Sequence, residues 1–513
     1  MIAIKEEITF QDFYKVLFES ESLSWDPSIL NRVEESFSFL QEFAKDKVIY
    51  GVNTGFGPMA QYQIEAKDKN ALQYNLIRSH AAGTGKPLSS LYVKSLMLAR
   101  LNTLALGKSG IHLSVIQVMT QLLNKNITPL IFEHGGVGAS GDLVQLAHLA
   151  LVLIGEGEVF YKGKRYATKE VFKLEKIDPI KVEGREGLGI MNGTSAMTGI
   201  GIVNTVYAKR LLNWSVFASS LLNELVEAYD DHFSEPLNAA KKHKGQQEIS
   251  SLMRSHLNDS ELIKNRVQHL YNPKQEKVFK EKVQEYYSLR CVPQILGPIK
   301  DTLKNTESIL MEEVNSANDN PIIDVASQQV YHGGNFHGDY VALEMDKLKL
   351  AMTKLSMLAE RQLNYTLNAK LNDIFPPFIN LGTLGLNFGV QGMQFTAVST
   401  TAENQALSNS MYVHSIPNNN DNQDIVSMGT NAANMTKTVI ENAYEVISIQ
   451  LIALTQAVYF SDKAEKLSSA STNILKDLQE IVPPFKTDEP IYPYIQTVKD
   501  YLLDNEAYKI TQA

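Results

Sequence analysis

The segment Gly135 to Gly141 reads GGVGASG and stands just before an apolar run, DLVQLAHLALVLI, from Asp142 to Ile154. Three chemistries ask for glycines in such a place. Gly136, Gly138 and Gly141 spell G-x-G-x-x-G, which cradles a dinucleotide when it follows a strand, opens a helix and belongs to a βαβ unit. Half of that context is present, since TPLIF (Thr128 to Phe132) has strand character and the run from Asp142 has helix character. The parallel sheet is missing: past Tyr161 the chain turns into a hairpin and then into long helical stretches, which argues against a nucleotide. A serine nucleophile on a strand-to-helix elbow needs G-x-S-x-G, and Asp142 stands where the last glycine should be.

The third chemistry uses the backbone itself as reagent. If the amide nitrogen of Gly141 attacks the Ala139 carbonyl, and one water leaves from the ring and one from the Ser140 side chain, the product is a methylidene-imidazolone with an exposed electrophilic alkene. Small residues are needed for the backbone to fold back on itself, and a residue without Cβ approaches most easily. On the residues of this segment alone, a glycine-rich turn leading into a buried helix is the simplest reading, because the run that follows is apolar on nearly all faces.

Composition narrows the partners. A formal charge of −9 argues against nucleic acid or an anionic membrane, both of which select basic surfaces; the densest basic run, Lys241 to Lys244, reads as a solvated loop. One cysteine, Cys291, excludes an intrachain disulfide framework and a multi-cysteine metal site. No H-E-x-x-H is present, so no metal is expected. The start, MIAIKEEITF, mixes charges into its apolar residues unlike a signal peptide, and no uncharged apolar run reaches membrane-spanning length. A cytoplasmic protein is the expectation.

Helical periodicity must position these residues. Ser28 to Lys45, Ala66 to Ser79 and Ser90 to Leu106 carry apolar residues at spacings of three and four, with Gly107 closing the last. Thr194 to His232, Gly297 to Ser316, Asp339 to Asn368 and Asp424 to Ser461 read as longer helices. Strand signals are short and paired, at Glu158 to Tyr161 with Lys164 to Ala167, and around Ile322 to Tyr331. The expected fold is mostly α, with a long central antiparallel helix bundle over residues 191–513, preceded by an irregular α-rich N-terminal domain over residues 1–190 that carries the glycine segment.

Eight separated blocks then bear on identity. GGVGASGDLVQLAH resembles the cofactor-forming motif of the aromatic amino acid ammonia-lyases, the family of histidine, phenylalanine and tyrosine ammonia-lyases and related aminomutases. The likeness continues through VIYGVNTGFGPMAQ, NLIRSHAAGTG, MNGTSAMTG, VQEYYSLRCVPQILG, NDNPII, GGNFHGDY and NNDNQDIVSMG, in the family order and over nearly the whole chain. The resemblance implies that Ala139, Ser140 and Gly141 cyclise to 4-methylidene-imidazole-5-one. It implies a tyrosine base on a mobile glycine-rich loop, here Tyr50, near Gly57. Tyrosine ordinarily titrates near 10, so a site using one near neutrality must stabilise its phenolate. Arg290 matches the arginine that grips the substrate carboxylate, a task suited to a planar guanidinium. Asn192, Gln284, Tyr287, Asn320 and Phe336 match residues around the cofactor and substrate.

Two positions speak to the substrate. Histidine ammonia-lyases place a carboxylate at the position of Gln423, whereas glutamine resembles the phenylalanine and tyrosine enzymes. Ser79-His80 resembles the histidine enzymes, yet a histidine there also suits a phenol hydroxyl. The full set resembles bacterial tyrosine ammonia-lyases, implying conversion of L-tyrosine to trans-4-coumarate and ammonia with His80 and Leu143 near the ring. Histidine ammonia-lyase is the alternative, followed by phenylalanine ammonia-lyase and tyrosine aminomutase. The family also implies a homotetramer of dihedral symmetry whose sites are each built from three chains.

Overall fold

Helix Leu143–Leu153 begins directly after the glycine segment, and its LVQLAHLALVL sequence leaves most of its faces buried. It stops where Gly155 adopts φ +83°, which lets the last turn close through Gly155 N to Val152 O at 2.9 Å and Glu156 N to Leu151 O at 2.9 Å. Glycine past a helix end supplies this left-handed residue without a Cβ penalty. Ser90–Ala105 ends by the same device at Gly107, φ +66°.

The computed structural model describes residues 1–271, 277–279 and 281–507. The chain is mostly helical and divides into two compact units: residues 1–205, 306–346 and 410–437 form one, and residues 206–305, 347–409 and 438–513 the other. The units interleave in sequence, which differs from a single division between residues 190 and 191. The physical reason is helix length. Ser195–Leu225, Asp339–Leu367 and Gly429–Ser461 each start in the first unit and end in the second.

Buried polar side chains tie the long helices together in both units. In the first, Asn204 Nδ2 donates to Ala433 O at 2.9 Å and the Thr436 hydroxyl to Met345 O at 2.8 Å. In the second, Tyr444 donates to Tyr207 O at 2.9 Å, and Gln450 Nε2 donates to Gln362 Oε1 at 2.7 Å. Helix Gln391–Leu407 runs antiparallel to Asp339–Leu367 there: Asn404 meets Ser356 while Gln394 meets Asn364. Helix Gly429–Ser461 is long and apolar enough to cross a membrane by length and composition, although Lys437, Glu441 and Glu445 interrupt it so that it is no uncharged run, and 83% of its apolar window is buried inside the fold. Its hydropathy is that of a core helix.

The strands are short. Glu158–Tyr161 and Lys164–Ala167 form the expected hairpin, and Thr128–Pro129 joins it antiparallel. Phe132–His134 pairs antiparallel with Thr84–Pro87. The strands flanking the glycine segment therefore build no βαβ unit, and the dinucleotide geometry is not available to it. Ile322–Asp324 pairs with Gln329–Tyr331. Strands Ile2–Ile4 and Leu23–Trp25 pair in parallel around helix Phe10–Phe18, elements too short for a sequence period to reveal.

Several helix bounds differ from the periodic pattern. The expected start at Asp424 moves to Gly429, because Asn419, Asn420, Asp421 and Met428 adopt positive φ and hold a loop; asparagine and aspartate tolerate that conformation better than most residues. The helix expected to reach His232 ends at Leu225, where Glu227 follows at φ +52°.

Candidate active site

The segment Val137 to Asp142 is pinned from both sides by residues of the first unit. Met428 N donates to Val137 O at 3.1 Å, the Ser427 hydroxyl donates to Gly138 O at 3.0 Å, and Asp142 N donates to Gly193 O at 2.8 Å. Gly141 sits at φ +72°, and a Cβ there would lie 2.0 Å from Gly193 O. Only glycine fits, since the contact is with backbone that cannot swing aside.

Three helix N-termini converge on this turn, those of Leu143–Leu153, Ser195–Leu225 and Gly429–Ser461. Asp142 links them: its carboxylate accepts from Met197 N at 2.8 Å and from the Thr430 hydroxyl. The side chain is fully buried, and burial pushes its pKa up to about 6 against the lowering effect of those hydrogen bonds. The positive ends of helix dipoles favour negative charge developing nearby. Sequence reasoning foresaw the first of these helix ends but missed Ser427 and Thr430, whose hydroxyls carry no motif of their own.

A cavity of about 430 Å³ opens beside the turn and brings together Tyr50, Gly57, His80, Ser140, Leu143, Asn192 and Gln423. That volume is ample for an amino acid with an aromatic side chain. Leu72, Leu76 and Leu188 add apolar wall that the motifs did not single out. Gln423 Nε2 donates to Ser140 Oγ at 2.8 Å. Tyr50 Oη accepts the Gly57 N–H at 3.0 Å; Gly57 is at φ +52°, where a Cβ would come within 2.7 Å of Asn419 Nδ2.

The contacts of His80 favour one tautomer. Its Nδ1 lies 3.0 Å from Leu76 O and 3.0 Å from Ser79 Oγ. A carbonyl can only accept, so Nδ1 carries the proton and Nε2 presents a lone pair in the neutral ring. Asn192 is 3% exposed and its Oδ1 has no partner among the described residues; a buried acceptor left so is costly. The Ala-Ser-Gly tripeptide, the glycine that only glycine can replace, the anchors on either side and this waiting amide fit an imidazolone formed in place.

The model of the aromatic amino acid lyase family matches residues 8–480. The chain belongs to that family. Similar relatives include tyrosine 2,3-aminomutase of Myxococcus sp. (strain Mx-B0), 38% identical over 98% of this chain and 97% of that protein. Histidine ammonia-lyase of Halalkalibacterium halodurans is 36% identical, over 97% of this chain and 94% of its own. Among solved structures, the tyrosine aminomutase from Streptomyces globisporus matches with a TM-score of 0.94 and 32% identity, covering 98% of this chain and 97% of that one.

Not all the residues expected of a lyase-family site line the first cavity. Gln284, Tyr287 and Arg290 line another, of about 580 Å³, in the second unit. There the Arg290 guanidinium lies 4.8 Å from the Tyr287 ring centroid, and its buried Nε has no partner among the described residues. Asn320 lies outside the lining of both cavities: its Oδ1 accepts from Gly333 N at 2.9 Å and its carbonyl accepts from Arg185 at 3.0 Å. Phe336, half-buried, lies outside both linings too.

Proposed function

We propose that this member of the aromatic amino acid lyase family eliminates ammonia from L-tyrosine to give trans-4-coumarate, using 4-methylidene-imidazole-5-one formed from Ala139, Ser140 and Gly141. The carrying observation is the place of His80: its imidazole lines the cavity that also holds Ser140 and Tyr50, and with Nδ1 engaged by Leu76 O the other ring nitrogen suits the O–H of a phenol. A site built to receive a hydroxyl discriminates strongly against a substrate lacking it.

The imidazolone, once formed, supplies the electrophile that makes the substrate amine a better leaving group. Tyr50 takes the β-proton; the N–H that Gly57 donates to its oxygen stays in place when that oxygen is negatively charged. Leu143, with Leu72 and Leu188, supplies apolar surface for the substrate ring. Gln423 and Asn192 offer amide groups beside Ser140, and glutamine rather than a carboxylate at 423 disfavours an imidazole substrate.

Gln284, Tyr287 and Arg290 complete the site from neighbouring copies of the chain in a homotetramer, with Arg290 gripping the substrate carboxylate. Their grouping around a cavity of their own, and a guanidinium with an unpaired buried Nε, support this assembly. So do the exposed Leu384, Leu386, Phe388 and Phe395, since large apolar groups in water mark contact surfaces. Asn320 and Phe336 support the site from its margin. The enzyme acts in the cytoplasm, in keeping with its single free cysteine.

The test offers purified protein L-tyrosine, L-histidine and L-phenylalanine separately and identifies the products. Coumarate from tyrosine is expected, with intact mass lower than the sequence by two waters. Urocanate would make the protein a histidine ammonia-lyase, and cinnamate a phenylalanine ammonia-lyase. β-Tyrosine as the main product would make it an aminomutase, the activity named for the Myxococcus relative.

A further inference from the structure

We propose that His332 is a positioning residue for Tyr50, accepting the backbone N–H of Tyr50 on its neutral imidazole and so holding the loop that carries the base. The inference rests on the reading of Tyr50 as that base. The contact runs from Tyr50 N to His332 Nε2 at 3.3 Å, and it requires a lone pair on Nε2. The side chain of Tyr50 is held separately, its hydroxyl oxygen by Gly57 N at 3.0 Å and its ring by Phe56, edge-on at 6.2 Å between centroids. The backbone end depends on His332.

The backbone next to the histidine is fixed through a chain of contacts that begins in the core. Arg185 and Asp319, both with fully buried side chains, form an ion pair at 3.0 Å. Arg185 also donates to the Asn320 carbonyl at 3.0 Å, and Asn320 Oδ1 accepts from Gly333 N at 2.9 Å. The hairpin strand Gln329–Tyr331 ends one residue before His332. The backbone beside His332 is therefore tied to a hairpin end and, through Asn320, to a buried ion pair, while the exposed imidazole reaches the glycine-rich loop. This assigns Asn320 a task at one remove from the chemistry: it holds the His332–Gly333 turn that in turn holds Tyr50.

The same geometry makes the clamp sensitive to protons. Protonated His332 would carry hydrogen on Nε2 and face the Tyr50 N–H with a second donor, so the bond is lost. The charged group on a neighbouring segment that bears on it is Arg185; burial first, and then the Arg185 charge, hold the imidazole below its usual range. A lowered folded-state value means that the clamp is intact above about 6.5, the ordinary imidazole value, and is released as pH falls through the folded one.

The test compares wild type with His332→Ala and with His332→Gln, whose side-chain carbonyl accepts a hydrogen bond and does not titrate. Hydrogen exchange is followed by mass spectrometry on the peptide spanning residues 48–57, beside intact mass and kcat for tyrosine. For His332→Ala, exchange at neutral pH should rise roughly fivefold, the equivalent of one ordinary hydrogen bond, and kcat should fall by a similar factor with KM little changed. The two-water mass loss should persist. His332→Gln should restore both and should keep slow exchange at acidic pH, where wild type loses it. Unchanged exchange in His332→Ala, or an acid-induced rise that persists in His332→Gln, would overturn the proposal. Exchange does not depend on substrate: an altered exchange pattern in a protein that releases no coumarate would refute the lyase reading and leave the clamp standing.

Discussion

Replacing His80 with phenylalanine tests the substrate reading most directly. With Nδ1 committed to Leu76 O at 3.0 Å, and Ser79 Oγ equally near, Nε2 of this cavity-lining imidazole is left as the acceptor. Phenylalanine keeps the ring and its bulk but removes that lone pair. Where bound substrate excludes water from the cavity, leaving its hydroxyl without a partner costs about 1–3 kcal/mol, or roughly 5- to 150-fold in kcat/KM, since about 1.4 kcal/mol is tenfold. The same change removes a polar nitrogen that phenylalanine as substrate could not satisfy. The ratio of kcat/KM for tyrosine over phenylalanine should therefore fall by at least tenfold, measured from initial rates of coumarate and cinnamate formation. Ser79→Ala should move the ratio in the same direction by a smaller factor, because the imidazole keeps Leu76 O and loses only its second contact. A ratio that stays within threefold of wild type in His80→Phe, with the cofactor mass unchanged, would remove His80 from specificity and leave the tautomer argument without consequence.

Three further outcomes follow from the cradle beneath the cavity. Gly141→Ala should abolish the two-water mass loss and lower stability in urea by about 2–4 kcal/mol, because a left-handed backbone costs about 1–2 kcal/mol for a residue with Cβ and the contact 2.0 Å from Gly193 O must be relieved by moving backbone; full cyclisation in this variant would refute the geometry. Asp142, raised to about 6 in the folded state, favours folding while protonated, so its contribution is fully present below about 4 and is lost as pH rises through 6. The stability difference between wild type and Asp142→Asn should change by up to about 3 kcal/mol across that window, read from denaturant curves at pH 4 and 7, and a constant difference would count against the assignment. Asp319→Ala leaves the fully buried Arg185 without its counter-ion and should cost about 3–5 kcal/mol; a loss under 1 kcal/mol would mean that the guanidinium finds other partners.

Much of the scaffold is legible in the residues. Periodicity finds the long helices because an apolar stripe that must meet a neighbouring helix repeats every three to four residues, and glycine marks helix ends such as Gly107 and Gly155 because it alone adopts positive φ without strain. The hairpin at Glu158 to Ala167 is local, and its KGK turn is visible in the string. What periodicity misses is short or held from afar. The three-residue strands at Ile2 and Leu23 lack a period, and the loop before Gly429 is kept out of helix by left-handed asparagines that a pattern of apolar residues does not register.

The chemistry of the glycine segment is likewise written in the sequence, since Ala139-Ser140-Gly141 and its seven companion blocks name a family by their order alone. Which groups meet is decided only in three dimensions. Gln423 reaches Ser140 across 283 positions of the chain, the Asp142 carboxylate is buried between two helix ends that begin at Ser195 and Gly429, and Tyr50 leans on His332 across 282 positions. Gln284, Tyr287 and Arg290, which the motifs grouped with the rest, line a cavity of their own. The reason is physical: local sequence dictates backbone preference and the identity of each functional group, but a hydrogen bond between distant residues exists only after the folded core has set its distance and removed the competing water.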